Sequence, residues 1–488
     1  MLDKLKNLAS DTLIYGIFTN AGRFLTFLLT PFYTNYLSVD DNGELGFIFA
    51  ILAFLSMIYS FGMESAFFRF YSKESETDSK KAFTHAFFTI ISISFVISGC
   101  IFIFSPYIAP YFGGMSNSED IIRIAAIIPF LDSIVQIPYA YLRLRRKALK
   151  FSLTRFILIL IAVTFNILFL AVFHFGVLGV FLAQLISSAL CVLILFPEIL
   201  SMLHFTFDKK LFFEMLRFGL PTLPANLSAI ILQVADRIIM KPMTNTHELG
   251  LYSINYKLGI PMMLFVAVFE YAWKPFYLSN FEEPDSKRLY SRILTYFTFF
   301  AAIIFLGTGL FIEYIVRLPF IGGKIINPAY WSGLTIVPII LGGYFFNGVF
   351  TNLAAGFHIT KKTGYLPIAV GIAAVSNIIL NIVFIPISGI YGAAWATLGA
   401  YFIGVCILYY YTKKVYPVEY EIRRVLIIIA AALIAYFLGM ELTKNMTLFY
   451  SVIIRILASV LFVGLIVLFG FFNKREIQYL KNLRKFKK

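Results

Sequence analysis

The side chains of this sequence best placed to do chemistry are ionisable groups set inside long apolar runs. They are Arg23, Arg69, Arg123, Arg155, Arg237, Lys257 and Arg455 against Glu64, Asp132, Asp236, Glu270 and Glu313. A charge inside hydrocarbon is costly to keep, so each is a functional candidate until a structural partner accounts for it. Arg23 stands first. It belongs to a stripe with Thr19, Thr26, Thr30 and Thr34, whose spacing of three or four residues puts them on one helical face. About 11 residues into its helix, Arg23 lies roughly 16 Å deep, too far for easy snorkelling to water. An ion pair with Glu64 or Asp132 is the structural alternative. At an offset of about 203 residues, Thr222, Asn226, Gln233 and Arg237 form a second polar face. Lys257 lies deep in its own segment, one turn after Ser253. The expected cavity-lining set is therefore Arg23, Lys257, Arg69, Asn226, Gln233 and Arg237. The cations outnumber the acids, and a cavity with that bias suits a phosphate-bearing ligand, which arginine can grip with two parallel hydrogen bonds.

The acids Glu64, Asp132, Asp236 and Glu270 are the candidates for gating or ion coupling. Asp132 shares a stripe with Gln136, Tyr139 and Arg143. Glu64 with Arg69, and Glu270 with Lys274, read as matched ion pairs at the inner ends of their helices, and Asp236-Arg237 as a clasp on the outer side of its helix. Arg69 reads equally as a snorkelling anchor, Arg155 as a residue nearer an interface, and Arg455 as packing for the last two helices. Tyr344, Asn347, Thr351 and His358 share one face, with His358 at the interface. The histidines do not cluster, so no metal site is expected. Cys100, Cys191 and Cys406 lie apart in apolar runs and read as packed small side chains. Gly322-Gly323-Lys324 lacks the upstream glycine and the hydroxyl of a phosphate loop. No cofactor is expected.

The elements that must position these groups are membrane helices. The chain has 488 residues, 60% hydrophobic and only 14% charged, with a mean hydropathy of +0.83. That excludes an ordinary soluble protein, whose apolar share is about 45–50%. With roughly 20 apolar residues needed per crossing, fourteen segments emerge. They are Thr12–Leu37, Glu44–Phe70, Ala82–Ile108, Ile121–Leu142, Phe151–Phe173, Val177–Phe196, Phe212–Met240, Leu249–Trp273, Leu289–Val316, Tyr330–Phe357, Gly364–Ile385, Tyr391–Tyr411, Val425–Met440 and Leu448–Phe472. The first reads as a retained span, since no cleavage site closes it. Lys73, Lys80, Lys81, Arg143, Arg145, Arg146, Lys209, Lys210, Lys361 and Lys362 all fall in alternate loops on the side of both termini. The net charge of +15 is thus mainly an orientation signal that places both termini in the cytoplasm, and no nucleic-acid partner is implied.

The first six segments echo segments seven to twelve. Gly43-Glu44-Leu45-Gly46 corresponds to His247-Glu248-Leu249-Gly250, Glu64-Ser65-Ala66 to Glu270-Tyr271-Ala272, and Gly176-Val177-Leu178-Gly179 to Gly389-Ile390-Tyr391-Gly392. The offset drifts from about 204 to about 213, as loop insertions in a duplicated half would produce. The fold expected is an all-α polytopic membrane protein: a six-helix lobe over 1–198, a second over 199–414 related by a parallel repeat, two further helices over 415–472, and a basic tail over 473–488.

The runs Tyr15-Gly16 through Arg23, Pro31-Phe32-Tyr33-Thr34 and Gly43-Glu44-Leu45-Gly46, with Gly62-Met63-Glu64-Ser65-Ala66, Ala235-Asp236-Arg237 and Glu248-Leu249-Gly250-Leu251-Tyr252, carry a resemblance. The sequence resembles the polysaccharide-transporter branch of the multidrug/oligosaccharidyl-lipid/polysaccharide exporter superfamily, across nearly the whole chain. That resemblance implies a non-enzymatic flippase of the bacterial cytoplasmic membrane. Its substrate would be an undecaprenyl-diphosphate-linked oligosaccharide for O-antigen, capsule or a related polymer, moved by alternating access of a cationic cavity. Membrane lipids, a polysaccharide polymerase and glycosyltransferases would be its partners. Arg23, Asp236 and Arg237 match the family's cavity arginine and Asp-Arg pair. Three alternatives stand beside it: a lipid II flippase, a multidrug or cation antiporter, and a membrane glycosyltransferase with Asp40-Asp41 in an outer loop. Asp40-Asp41-Asn42-Gly43 also reads as ordinary turn chemistry.

Overall fold

The computed structural model describes residues 18, 20–72, 74–112 and 117–469. Thr19, Lys73, the start of the first expected span and the basic tail lie outside the described residues. The chain enters through a helix over 20–27 (α1), breaks at Leu28–Leu29, and continues as α2 (Thr30–Tyr36) with Pro31 in its first turn. Next come α3 (Val39–Ser60), α4 (Met63–Phe70), α5 (Glu76–Ile103), α6 (Ser105–Ile108), α7 (Ser118–Leu144), α8 (Ala148–Ile167) and α9 (Gly176–Met202). The second half holds α10 (Lys209–Gly219), α11 (Leu223–Met243), α12 (Thr246–Lys257), α13 (Ile260–Asn280) and α14 (Ser286–Val316). After a hairpin of β1 (Pro319–Phe320) and β2 (Gly323–Lys324) follow α15 (Val337–Ile359), α16 (Tyr365–Val415), α17 (Ile422–Leu442) and α18 (Leu448–Leu468).

Among the described residues, eleven helices are long and apolar enough to cross a membrane, or twelve if α12 and α13, bent by 46°, form one span. Fourteen were expected from the sequence. Two of the expected segments share the 51-residue α16, whose helical angles fail at Ser388 and at Gly389 (φ 53°). A third, Thr12–Leu37, is described only in part. Val425–Met440, the shortest expected span, lies inside α17.

Asp40-Asp41-Asn42-Gly43 is not a turn. Ser38 Oγ accepts from the Asp41 amide (3.0 Å) and the Asp41 carboxylate accepts from the Ser38 amide (3.2 Å). This reciprocal cap starts α3 two residues before the acids and commits them to its first turn, where the helix dipole favours them. Pro221 lies within the 3-10 turn Leu220–Thr222 that joins α10 to α11, and Pro224 in the first turn of α11, positions where a missing backbone donor costs nothing. Cys191 is buried as expected, but Cys100 and Cys406 are exposed. On a helix that is apolar all round, the outward face meets lipid and need not be packed by protein.

The two halves meet at both ends of the bundle. Gly62, in the left-handed conformation (φ 71°), lies so near Gly219 that a Cβ would overlap its carbonyl; this is the end carrying the Lys- and Arg-rich loops. At the opposite end α3 packs along α11 and α12, where Gly43 and Gly46 let the backbones of the two halves approach. Helices α17 and α18 pack on α14 through Leu306, Leu310, Ile428, Ala435 and Phe462. Buried Arg455 joins them, donating to the Leu310 carbonyl (2.7 Å), Thr443 Oγ1 (3.1 Å) and Glu313 Oε2 (3.1 Å).

Candidate functional site: a charged cavity between the halves

A cavity of about 1650 Å³ lies between the two halves, walled by side chains of α1–α4, α7–α9, α11–α13, α15 and α16. Helices α5, α14, α17 and α18 contribute nothing to it. Its charged lining is Arg23, Arg143, Arg155, Arg237 and Lys257 with Glu64, Asp132 and Glu270, a surplus of two positive charges. Inside an apolar bundle that surplus acts with little screening on whatever enters.

Arg23 and Thr26 face this space from α1, and Arg23 is exposed to it. Among the described residues Arg23 has no acidic partner, so its ion pair with Glu64 or Asp132 does not form. The break at Leu28–Leu29 turns the rest of the stripe away: Thr30 and Thr34 are buried and do not line the cavity. Lys257 ends α12 at the bend into α13, where the helix C-terminus favours a cation. Its Nζ sits 5.1 Å from the Tyr33 ring, and no acid pairs with it among the described residues. Arg237 faces the same region from α11. It lies 4.3 Å over the Tyr256 ring and donates to the Gln233 carbonyl (2.9 Å) and Asp236 Oδ1 (3.2 Å). Arg23, Arg237 and Tyr344 all line the same cavity. Asn226 and Gln233 line the cavity from α11, and Tyr344, Asn347 and Thr351 from α15.

Several expected roles change. Arg69 lies exposed in the last turn of α4, outside the cavity, and does not pair with Glu64. Glu64 pairs instead with Arg143 and accepts from Gln136 Nε2 (3.1 Å), because α4 packs on α7. No Glu270–Lys274 pair is present among the described residues; Glu270 faces the cavity from α13. Asp236 lies behind the lining, buried, and holds Arg237 while accepting from the Tyr252 hydroxyl (2.5 Å). Asp132 lines the cavity and accepts from Ser188 Oγ (2.7 Å). His358 stays out of it, stacked on Tyr277.

Two cavity cations were not anticipated. Arg143 was counted with a basic loop and Arg155 with an interface, yet both line the cavity, Arg155 with its guanidinium 4.8 Å from the Tyr139 and Phe151 rings. The signal for Arg143 was its place in the Asp132, Gln136, Tyr139 stripe, all of which faces inward.

At the end opposite the basic loops the cavity is closed by contacts between the halves. Buried Glu44 of α3 pairs with Lys241 of α11. Asn42 Nδ2 donates to the Tyr330 hydroxyl (2.7 Å), which donates to the Ser38 carbonyl (3.1 Å), and Asn35 Nδ2 donates to the Lys324 carbonyl (2.7 Å). No group of three or more His, Cys, Asp or Glu side chains suited to a metal occurs among the described residues.

Comparison with known proteins adds three findings. The sequence model of a family described as polysaccharide biosynthesis protein matches residues 35–322, more than half of the chain. An uncharacterised membrane protein of Methanocaldococcus jannaschii is 25% identical over 411 residues, 78% of each chain, and a protein of the Lsg locus of Haemophilus influenzae is 22% identical over 424 residues, 83% of this chain and 98% of that one. Among solved structures, the lipid II flippase MurJ in an inward closed conformation superposes with a TM-score of 0.76 at 20% identity, covering 96% of this chain and all of that one. An inward-facing MATE family multidrug resistance transporter of the MOP superfamily gives 0.62 at 12% identity, covering 80% and 94%.

Proposed function

Because the chain belongs to the polysaccharide biosynthesis protein family and shares the fold of the MOP superfamily, we propose that it is a flippase for undecaprenyl-diphosphate-linked oligosaccharides. It would carry repeat units of O-antigen, capsule or a related polysaccharide across a bacterial cytoplasmic membrane, between the glycosyltransferases that build them and the polymerase that joins them. The observation that carries this reading is the pair of unneutralised cations, Arg23 and Lys257, beside Arg237 in a cavity between the halves. A diphosphate is the ligand group such an arrangement favours, through bidentate arginine contacts and a lysine point charge.

The topology proposed is fourteen spans in two six-helix lobes, 1–198 and 199–414, with 415–472 as an added pair and both termini cytoplasmic. Alternating access then amounts to parting the Glu44–Lys241 end while the basic end closes, with Glu64 and Glu270 at the mouth of the cavity as gating groups. Asp236, buried beside Arg237, is the acid placed to couple an ion to substrate binding. A multidrug or cation antiporter needs an acid-rich cavity, which this is not. A glycosyltransferase reading loses its support, since Asp41 is engaged in capping α3. The likeness to a lipid II flippase keeps that substrate as the second reading.

The test is Arg23→Ala in cells. Surface polymer should disappear while lipid-linked repeat units accumulate inside, at a normal protein level. Normal export by that variant would overturn the assignment of Arg23 and with it the phosphate-binding cavity.

A further inference from the structure

The cavity's two sides differ in chemistry. On one side Arg237 lies over the Tyr256 ring, Lys257 sits 5.1 Å from the Tyr33 ring and Arg23 faces the cavity from α1, and two of the three have no acidic partner among the described residues. The α7–α9 side is different. There Arg143 is neutralised by Glu64, and Arg155 is held between two rings. What that side offers the cavity is a neutral-to-acidic row on two facing helices: Asp132 and Gln136 one turn apart on α7, Gln184 and Ser188 one turn apart on α9. Among the described residues Ser188 occupies only one oxygen of Asp132, the other carries no hydrogen bond, and the Gln184 amide makes none. Free carboxylate and amide groups, half-buried and turned to one space, demand a ligand rich in groups that both donate and accept. With Glu64 spent on Arg143 and the Arg155 guanidinium held against the Tyr139 and Phe151 rings, what the row itself presents is the Asp132 carboxylate, which disfavours a diphosphate and suits sugar hydroxyls.

Building on the flippase reading, we propose that the α7–α9 wall is a saccharide-recognition site. Asp132 accepts from a sugar hydroxyl and Gln184 bonds its neighbour, while the Arg23, Arg237 and Lys257 side holds the diphosphate. Affinity for the carrier and selectivity for the sugar are then carried by opposite walls of one cavity.

The test is equilibrium binding to the purified full-length protein, with undecaprenyl diphosphate and undecaprenyl-diphosphate N-acetylglucosamine as paired probes. The unmodified protein should bind the sugar-bearing probe about tenfold more tightly, as one or two hydrogen bonds to a charged group provide. Asp132→Asn and Gln184→Ala should each bring that ratio close to one, and neither should weaken binding of the bare diphosphate, which also reports that the variant is folded. Arg23→Ala should weaken both probes alike and keep the ratio. Equal binding of the two probes by the unmodified protein, or a ratio that both wall variants leave intact, overturns the saccharide site while leaving the flippase reading standing. Failure of either probe to bind the unmodified protein overturns both.

Discussion

Lys241→Met tests the closure of the end opposite the basic loops. Glu44 and Lys241 have side chains only 2% and 14% exposed and belong to helices of different halves, α3 and α11. Removing the lysine leaves a buried carboxylate with a single weak partner, Thr246 Oγ1 at 3.5 Å. Breaking one side of a buried pair costs about 3–5 kcal/mol. If the halves part at this end, Glu44 meets water and the cost is relieved, so it falls on the closed state alone. At about 1.4 kcal/mol per factor of ten, the closed-to-open ratio should drop by roughly two to three and a half orders of magnitude. Ser253 reports the change, since it is buried against Gly46 at the same contact. With Cys100, Cys191 and Cys406 replaced and Ser253→Cys introduced, a membrane-impermeant thiol reagent should label the Lys241→Met protein about a hundredfold faster or more. The added Glu44→Gln change removes the stranded charge and should return the rate most of the way. Identical labelling with and without Lys241, in protein of unchanged melting temperature, would refute the idea that this pair holds the halves together.

Three further outcomes follow from individual contacts. Arg455→Met removes hydrogen bonds to the Leu310 carbonyl, Thr443 and Glu313, the last of which keeps its pair with Arg317, and should cost about 2 kcal/mol and lower the melting temperature; export per folded molecule should be kept, because α17 and α18 do not line the cavity. Gly62→Val forces a β-branched side chain into a left-handed turn against Gly219, at about 1–2 kcal/mol for the conformation alone plus the clash, and should reduce the folded yield in a thermal melt. Ser38→Ala removes the cap of α3 and should cost about 1 kcal/mol by the same measurement, a loss that Ser38→Asp, whose carboxylate can cap the same amide, should largely restore.

The parts of the site that could be read from the sequence were those where a charge breaks an apolar run. Arg23, Lys257 and Arg237 could be picked out because hydrocarbon tolerates no idle cation. Arg143 and Arg155 were harder, because near a helix end the same charge is satisfied by reaching for water; Arg143 had only its place in the Asp132 stripe to mark it, and for Arg155 only the packing shows that it points inward. The threonine stripe failed after Thr26 for a related reason. Helical spacing assumes one straight helix, and the break at Leu28–Leu29 rotates Thr30 and Thr34 into protein contacts. Ion pairs were the least legible: Glu64 has Arg69 near it in sequence but Arg143 near it in space, a choice made by the packing of α4 on α7. Hydropathy located the spans, yet it carries no information on bends such as the one between α12 and α13 that sets Lys257 at a helix end.

Reconstitution tests most directly whether the cavity moves a lipid-linked saccharide. Liposomes containing the purified protein and a fluorescent undecaprenyl-diphosphate oligosaccharide would be quenched from outside at successive times. The unmodified protein should carry the labelled lipid between leaflets, and Arg23→Ala and Lys257→Ala should fall to the rate of empty liposomes while remaining folded. Transfer by both variants at the unmodified rate, or none by the unmodified protein under an imposed proton, sodium or electrical gradient, would contradict the assignment.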